Sequence, residues 1–176
     1  MRAMLTICLG VMAFCASGVR ADEEPIAIDK LPKAVLETVK KRFPKAELVE
    51  AAKETDGDKV EFEVTLKDGE TKYDVMLTPD GKITLIEKVI AAKDLPKVVA
   101  EALEEKYPKA TYKVYEEMTK VTDGKEAIAY YEVLIVTADK KTLEVEVAPE
   151  GKILKIEEKK DEKEEKKTDK KSTTLK

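Results

Sequence analysis

The chain has no histidine and no tryptophan, only two cysteines, and 5% aromatic residues in 176. Without His it lacks the side chain best suited to general-base work at neutral pH and the commonest metal ligand. There is no basic excess either: 33 Lys+Arg stand against 37 Asp+Glu, a formal net charge of −4. With no clustered basic face, nucleic acid is a poor partner for this chain. Nor is there an apolar run long enough to span a bilayer as a mature helix, because the stretch from Leu5 to Ala16 is too short. What remains is 40% charged and 43% hydrophobic, enough apolar residues for a modest core.

The run from Leu5 to Ala16 has the form of a signal peptide. Arg2 supplies the positive start, and Val19-Arg20-Ala21 a cleavage site before Asp22-Glu23-Glu24-Pro25. Bulky Ile7 and Phe14 precede Cys8 and Cys15, which disfavours a lipid anchor. Removal of residues 1–21 takes Arg2, Arg20, Cys8 and Cys15 with it. It leaves 31 basic against 37 acidic residues, a net of −6. The expected product is exported, periplasmic or extracellular, has no stable membrane insertion, and is held by its core rather than by disulfides.

The rest of the chain is one pattern written twice. Leu31-Pro32-Lys33 recurs as Leu95-Pro96-Lys97, and Phe43-Pro44-Lys45-Ala46 as Tyr107-Pro108-Lys109-Ala110, both at an offset of 64. Pro79-Asp80-Gly81-Lys82-Ile83 recurs as Pro149-Glu150-Gly151-Lys152-Ile153 at an offset of 70. Leu31, Ala34, Val35, Val39 and Phe43 share one helical face, as do Leu95, Val98, Val99, Leu103 and Tyr107. Pro44 and Pro108 stop these helices.

Alternation follows. Val60, Phe62, Val64 and Leu66 share a strand face, with Glu61, Glu63 and Thr65 on the solvent side; Tyr73, Val75 and Leu77, then Ile83 and Leu85, continue the inner face. Asp-Gly pairs at 56–57, 68–69 and 80–81 punctuate these strands as turns. The second copy offers Tyr112/Val114, Tyr131/Val133/Ile135, Leu143/Val145/Val147 and Ile153/Ile156. The expected class is α+β: two tandem αβ4 units, residues 26–89 and 90–158, each a helix on its own four-stranded antiparallel meander. Residues 159–176 are expected to be a charged tail without a core; from Glu158 to Lys176, 14 of 19 residues are charged.

Chemistry is sparse. Asp56-Gly57-Asp58 and Asp68-Gly69-Glu70 lack the ligand set of a calcium loop and read as turns. The Glu pairs at 104–105, 116–117 and 157–158 read as solvated surface, and Ser172 has no activating base. No catalytic residue, cofactor or metal is expected. One asymmetry stands out: Tyr130, Glu132, Leu134 and Val136 replace the polar outer face of the first unit. With Tyr131, Val133 and Ile135 behind them, that strand is apolar on both sides. Such a strand either docks a partner or closes a contact between the units or in a homodimer. Tyr112 and Tyr115 precede it, on opposite faces by simple alternation, so that one of them extends the patch.

The Leu-Pro-x-x-Val starts, the aromatic-Pro breaks and the Asp/Glu-Gly-Lys-Ile closes together resemble the PepSY-like family, related in fold to the β-lactamase-inhibitory-protein (BLIP) type. The resemblance covers residues 26–158. It implies an exported, non-enzymatic protein-binding module, and relatives with known roles include inhibitors of secreted or periplasmic hydrolases. In the inhibitory relative a hairpin between the second and third strands inserts an acidic residue into its target. Here the matching hairpin is Lys67-Asp68-Gly69-Glu70, so the resemblance implies Asp68. This chain lacks the relative's disulfides and its more aromatic face.

Overall fold

The structure, a computed structural model, describes residues 22–159. The expected signal peptide and the charged segment from residue 160 onward lie outside the described residues.

Both helices form where the apolar spacing places them. In α1 (Lys33–Arg42) Val35 and Val39 are fully buried, and Leu31 and Phe43 flank them in the same core. In α2 (Lys97–Lys106) Val99 and Leu103 are fully buried, with Leu95 beside them. Pro32 and Pro96 stand at the N-caps, where a missing amide costs nothing.

Nine strands complete the fold: β1 (Asp22–Pro25), β2 (Glu47–Asp56), β3 (Lys59–Asp68), β4 (Thr71–Leu77), β5 (Ile83–Val89), β6 (Thr111–Thr122), β7 (Lys125–Val136), β8 (Thr142–Val147) and β9 (Ile153–Lys159). They form one antiparallel sheet in chain order. This corrects the expectation of two separate helix-plus-four-strand units. An unpaired β5 would expose a row of orphan N–H and C=O groups. Instead β5 pairs with β6, Leu85 to Lys120 through Val89 to Glu116, and the sheet runs on without a break. The ninth strand, β1, pairs with β2 in a segment that reads from sequence only as the end of an apolar run. Pro25 is tolerated there because β1 is an edge.

The helices share one face of this sheet. Phe62, Val64, Leu66, Val75, Leu77 and Ile86 pack under α1; Tyr131, Val133, Ile135, Val145 and Val147 pack under α2. Gly81 and Gly151 explain the repeated Gly-Lys-Ile motif. Each has positive φ and lies against a helix, such that a Cβ on Gly81 would meet the Ala34 carbonyl oxygen at 2.6 Å and one on Gly151 the Val98 carbonyl oxygen at 2.9 Å. Arg42, in the last turn of α1, reaches Glu126 on β7 at 3.2 Å.

Three register shifts re-aim side chains that plain alternation misplaces. Between Met76 and Leu77 the shift sends Leu85 to the helix-free face and puts Ile86 in the core. Between Tyr112 and Val114 it turns Tyr112 and Tyr115 to the same side, opposite Ile135 and Val133, where their rings stack 6.2 Å apart. Between Met118 and Thr119 it brings Met118 opposite Tyr130.

Candidate functional site

The face without helices is the candidate site. Alternation from the core residues assigns to it Glu63 and Thr65 of β3, Lys72, Asp74 and Met76 of β4, Leu85 and Glu87 of β5, Glu116 and Met118 of β6, Tyr130 to Val136 at every second residue of β7, and Glu144 and Glu146 of β8. Glu63, Thr65, Asp74, Glu116, Glu132 and Glu144 are all less than 10% exposed. Thus Glu63 and Thr65 are not solvent-facing, and the Glu116–Glu117 pair is not ordinary surface. In a strand the two glutamates of that pair point to opposite faces, and register puts Glu116 opposite Glu132.

Cations meet only part of this charge. Lys72 pairs with Asp74 at 2.7 Å, and Asp74 also accepts a hydrogen bond from the Thr65 hydroxyl at 2.6 Å. Burial pulls the Lys72 ammonium down, but its bond to Asp74 more than offsets this and holds it up. Lys159 pairs with Glu144, and Lys155 with Glu146 and Glu157 at 3.7 and 3.0 Å. Glu63, Glu87, Glu116 and Glu132 have no ion pair among the described residues, and burial drives all four carboxyls up. Glu87 is pushed up to about 8 and Glu116 to about 7. Glu63 rises further through its acidic neighbours Asp74 and Glu87, and Glu132 through its hydrogen bond and repulsion with Glu144.

A groove of about 330 Å³ opens on this face, lined among others by Glu54, Glu63, Met76, Leu85, Glu87 and Tyr130. The Tyr130 hydroxyl is buried and makes no hydrogen bond among the described residues; Tyr130 itself is 4% exposed. Chemically the groove sets carboxyl groups, the Tyr130 hydroxyl and two lysines, Lys59 (paired with Glu61 at 2.9 Å) and Lys120, around the apolar side chains of Met76 and Leu85. Among the described residues no three acidic side chains converge as metal ligands.

The residues singled out from sequence do not all meet. Tyr130, Glu132, Leu134 and Val136 share the helix-free face, the first two buried and the last two half-buried. Tyr112 is on the helix side, packed against the core under α2, with its hydroxyl buried and unbonded among the described residues. Asp68 is exposed at the β3–β4 turn, by a cleft that Arg42, Tyr73, Lys88, Glu117 and Glu126 also line. Sequence reasoning missed Glu63, Asp74, Glu87, Glu116 and Glu144. The available signal was an acid recurring at one parity in strand after strand: Val60-Glu61-Phe62-Glu63-Val64, Tyr73-Asp74-Val75, Leu143-Glu144-Val145-Glu146-Val147.

No family model matches the chain, and no curated protein is significantly similar to it. Solved structures are. A protein of Bacteroides eggerthii provisionally assigned to the periplasm matches over 72% of this chain and 88% of its own, at 14% identity and a TM-score of 0.59. A BLIP-like protein of Bacteroides fragilis matches over 74% and 89%, at 15% identity and a TM-score of 0.55. A DUF2874 family protein of Bacteroides ovatus matches over 74% and 89%, at 15% identity and a TM-score of 0.58. At these identities the likeness is one of fold, and the chain has the BLIP-like fold.

Proposed function

We propose that this chain is an exported, non-enzymatic protein-binding module of the PepSY-like type, working in the periplasm and restraining the activity of an envelope or secreted hydrolase. The observation that carries the reading is the helix-free face. Nine strands present it as one surface, with both helices confined to the other side. Leu134 and Val136 stand half-buried at its β7 end, beside the buried Tyr130 and Glu132. Aromatic and aliphatic side chains ringed by polar groups are what protein interfaces use. The periplasmic assignment of the B. eggerthii structure and the sequence of residues 1–21 support export.

The test is capture from the envelope fraction of the source organism with the wild-type chain and with Leu134→Lys. Leu134 is half-buried at the surface, so the variant is expected to fold. One hydrolase retained by the wild type, lost with Leu134→Lys and slowed on mixing with the purified chain, supports the reading. A wild-type dimer that Leu134→Lys splits, with no other protein held, replaces it with self-association.

A further inference from the structure

The two edges of the nine-stranded sheet are built differently. β1 is four residues long, carries Asp22, Glu23 and Glu24, and ends in Pro25, which has no N–H to give. Shortness, charge of one sign and a proline are how natural sheets blunt an edge. β9 runs for seven residues, Ile153-Leu154-Lys155-Ile156-Glu157-Glu158-Lys159, without a proline, and no described strand lies beyond it. Among the described residues five large apolar side chains are at least 40% exposed, and two of them, Leu154 and Ile156, are on β9. A third, Val98, lies against Gly151 in the turn that leads into β9. Apolar exposure therefore gathers at this edge.

Register fixes which groups the edge presents. At the β7–β8 turn the Thr137 N–H donates to the Lys141 carbonyl oxygen at 2.9 Å. Antiparallel bonds alternate from there, so Leu143 and Val145 bond back to β7. Thr142, Glu144 and Glu146 then bond forward, to Lys159, Glu157 and Lys155. Ile156 and Glu158 are left with their N–H and C=O groups turned outward. Val145, opposite Ile156, is fully buried under α2, which puts Ile156 on the helix side. Lys155 and Glu157 are on the helix-free side, 3.0 Å apart, and Lys155 is also 3.7 Å from Glu146.

We propose that β9 pairs antiparallel with β9 of a second copy, about a two-fold axis through Ile156, joining two sheets edge to edge. Outward-turned groups must meet outward-turned groups, so the axis passes through a residue, and charge chooses which. An axis at Lys155 sets Lys155 against itself. One at Glu157 sets Glu157 against itself and Lys155 against Lys159, and one at Glu158 sets Glu158 against itself. The axis at Ile156 sets Lys155 of each copy against Glu157 of the other, twice, with Ile156 against Ile156 on the helix side. The two Ile156 backbones exchange both of their hydrogen bonds. The ion pairs then fall at non-hydrogen-bonded positions, where Cα atoms approach to about 4.5 Å and side chains meet most closely. This contact is closed, with the blunted β1 edges at the far ends, so it makes a dimer and not a filament. It uses the edge and leaves both helix-free faces open, so it goes beyond the binding-module reading and does not depend on it.

Sedimentation of the purified chain tests this. The wild-type mass is expected to climb from one chain towards two between about 10 μM and about 1 mM, the range of a small edge contact. Lys155→Glu and Glu157→Lys each set like charges opposite each other twice, and each alone should weaken association about tenfold or more. An equimolar mixture of the two variants restores opposite charges at both positions of the mixed pair, and should regain most of the wild-type association. Leu134→Lys, on the helix-free face, should leave the dimer intact. A wild-type mass of one chain up to about 1 mM overturns the proposal. So does a dimer that both charge reversals spare, a dimer that Leu134→Lys splits, or a mixture of folded variants that stays apart. Circular dichroism checks each fold; Glu157→Lys faces Glu144 and is expected to fold even where Lys155→Glu, beside Glu146, does not, and its loss of association then decides. No partner protein enters the experiment, so it can fail without touching the binding-module reading.

Discussion

Glu116 on β6 and Glu132 on β7 stand directly opposite each other on the helix-free face, both less than 10% exposed. Two buried carboxylates at one register position repel, so the pair is most stable with a proton on at least one of them. That proton ties the stability of the fold to pH. Burial raises Glu116 from 4.5 to about 7 and Glu87 from 4.5 to about 8, and raises Glu63 and Glu132 as well. Around them stand Asp74, Glu144 and Glu146, with Lys72 as the nearby cation that partly counters the rise at Glu87 and Glu116.

The sign follows from proton counting. Between 4.5 and the raised value the folded chain holds protons that the unfolded chain has released, so stability falls as pH rises. The contribution is complete below about pH 4.5 and is lost as pH rises from there to about 7 for Glu116 and about 8 for Glu87, amounting to roughly 3 kcal/mol for Glu116 alone. Thermal unfolding is expected at its highest temperature near pH 5, falling steadily to pH 9. A flat profile over that range would show that these carboxyls are ionised in the fold at no cost.

Glu132→Gln separates charge from shape. The amide can still donate to Glu144 but cannot ionise. At pH 8 the variant should be more stable than the wild type by about 1–2 kcal/mol, and at pH 5 nearly equal to it. Denaturant midpoints at the two pH values measure the difference.

Lys72→Met removes the partner of a buried Asp74 and is expected to cost about 2 kcal/mol. The Thr65 hydroxyl remains on Asp74, so the loss stays partial. Lys33→Met, which breaks only an exposed pair with Glu37, should cost under about 0.5 kcal/mol in the same denaturation series.

Gly81 tests the close approach of helix and turn. Gly81→Ala combines a positive φ of 82° with a Cβ 2.6 Å from the Ala34 carbonyl oxygen. It should cost more than about 2 kcal/mol, whereas Gly57→Ala, at φ 59° in open space, should cost only about 1 kcal/mol. Equal losses in denaturant midpoint would mean that the helix yields.

One sheet with two core clusters also makes a statement about cooperativity. Leu77 belongs to the cluster under α1 and Leu103 to that under α2. Truncation of either to Ala should cost about 2–5 kcal/mol. Because β5 and β6 are paired and Arg42 holds Glu126, calorimetry is expected to show the same single transition shifted in both variants.

The amino-acid sequence by itself determined what depends on near neighbours. Val35 and Val39 mark the buried stripe of α1 because i and i+4 share a helix face; Gly57, Gly69 and Gly81 adopt positive φ because their turns need it; Phe62, Val64 and Leu66 face the core because strands alternate. Tyr130, Glu132, Leu134 and Val136 were legible as an unusual outer face for the same reason. Only the tertiary structure decided what depends on distant partners. Whether β5 is an edge rests on β6, whose paired residues lie about thirty positions later, and the answer turned two expected sheets into one. Single shifts in register put Leu85 outside, Ile86 inside and Tyr112 beside Tyr115, since one extra residue reverses every side chain beyond it. The burial of Glu63 and Glu116 comes from strands on both sides of each, and Phe62-Glu63-Val64 or Tyr115-Glu116-Glu117 has the same letters whether those strands are present or not.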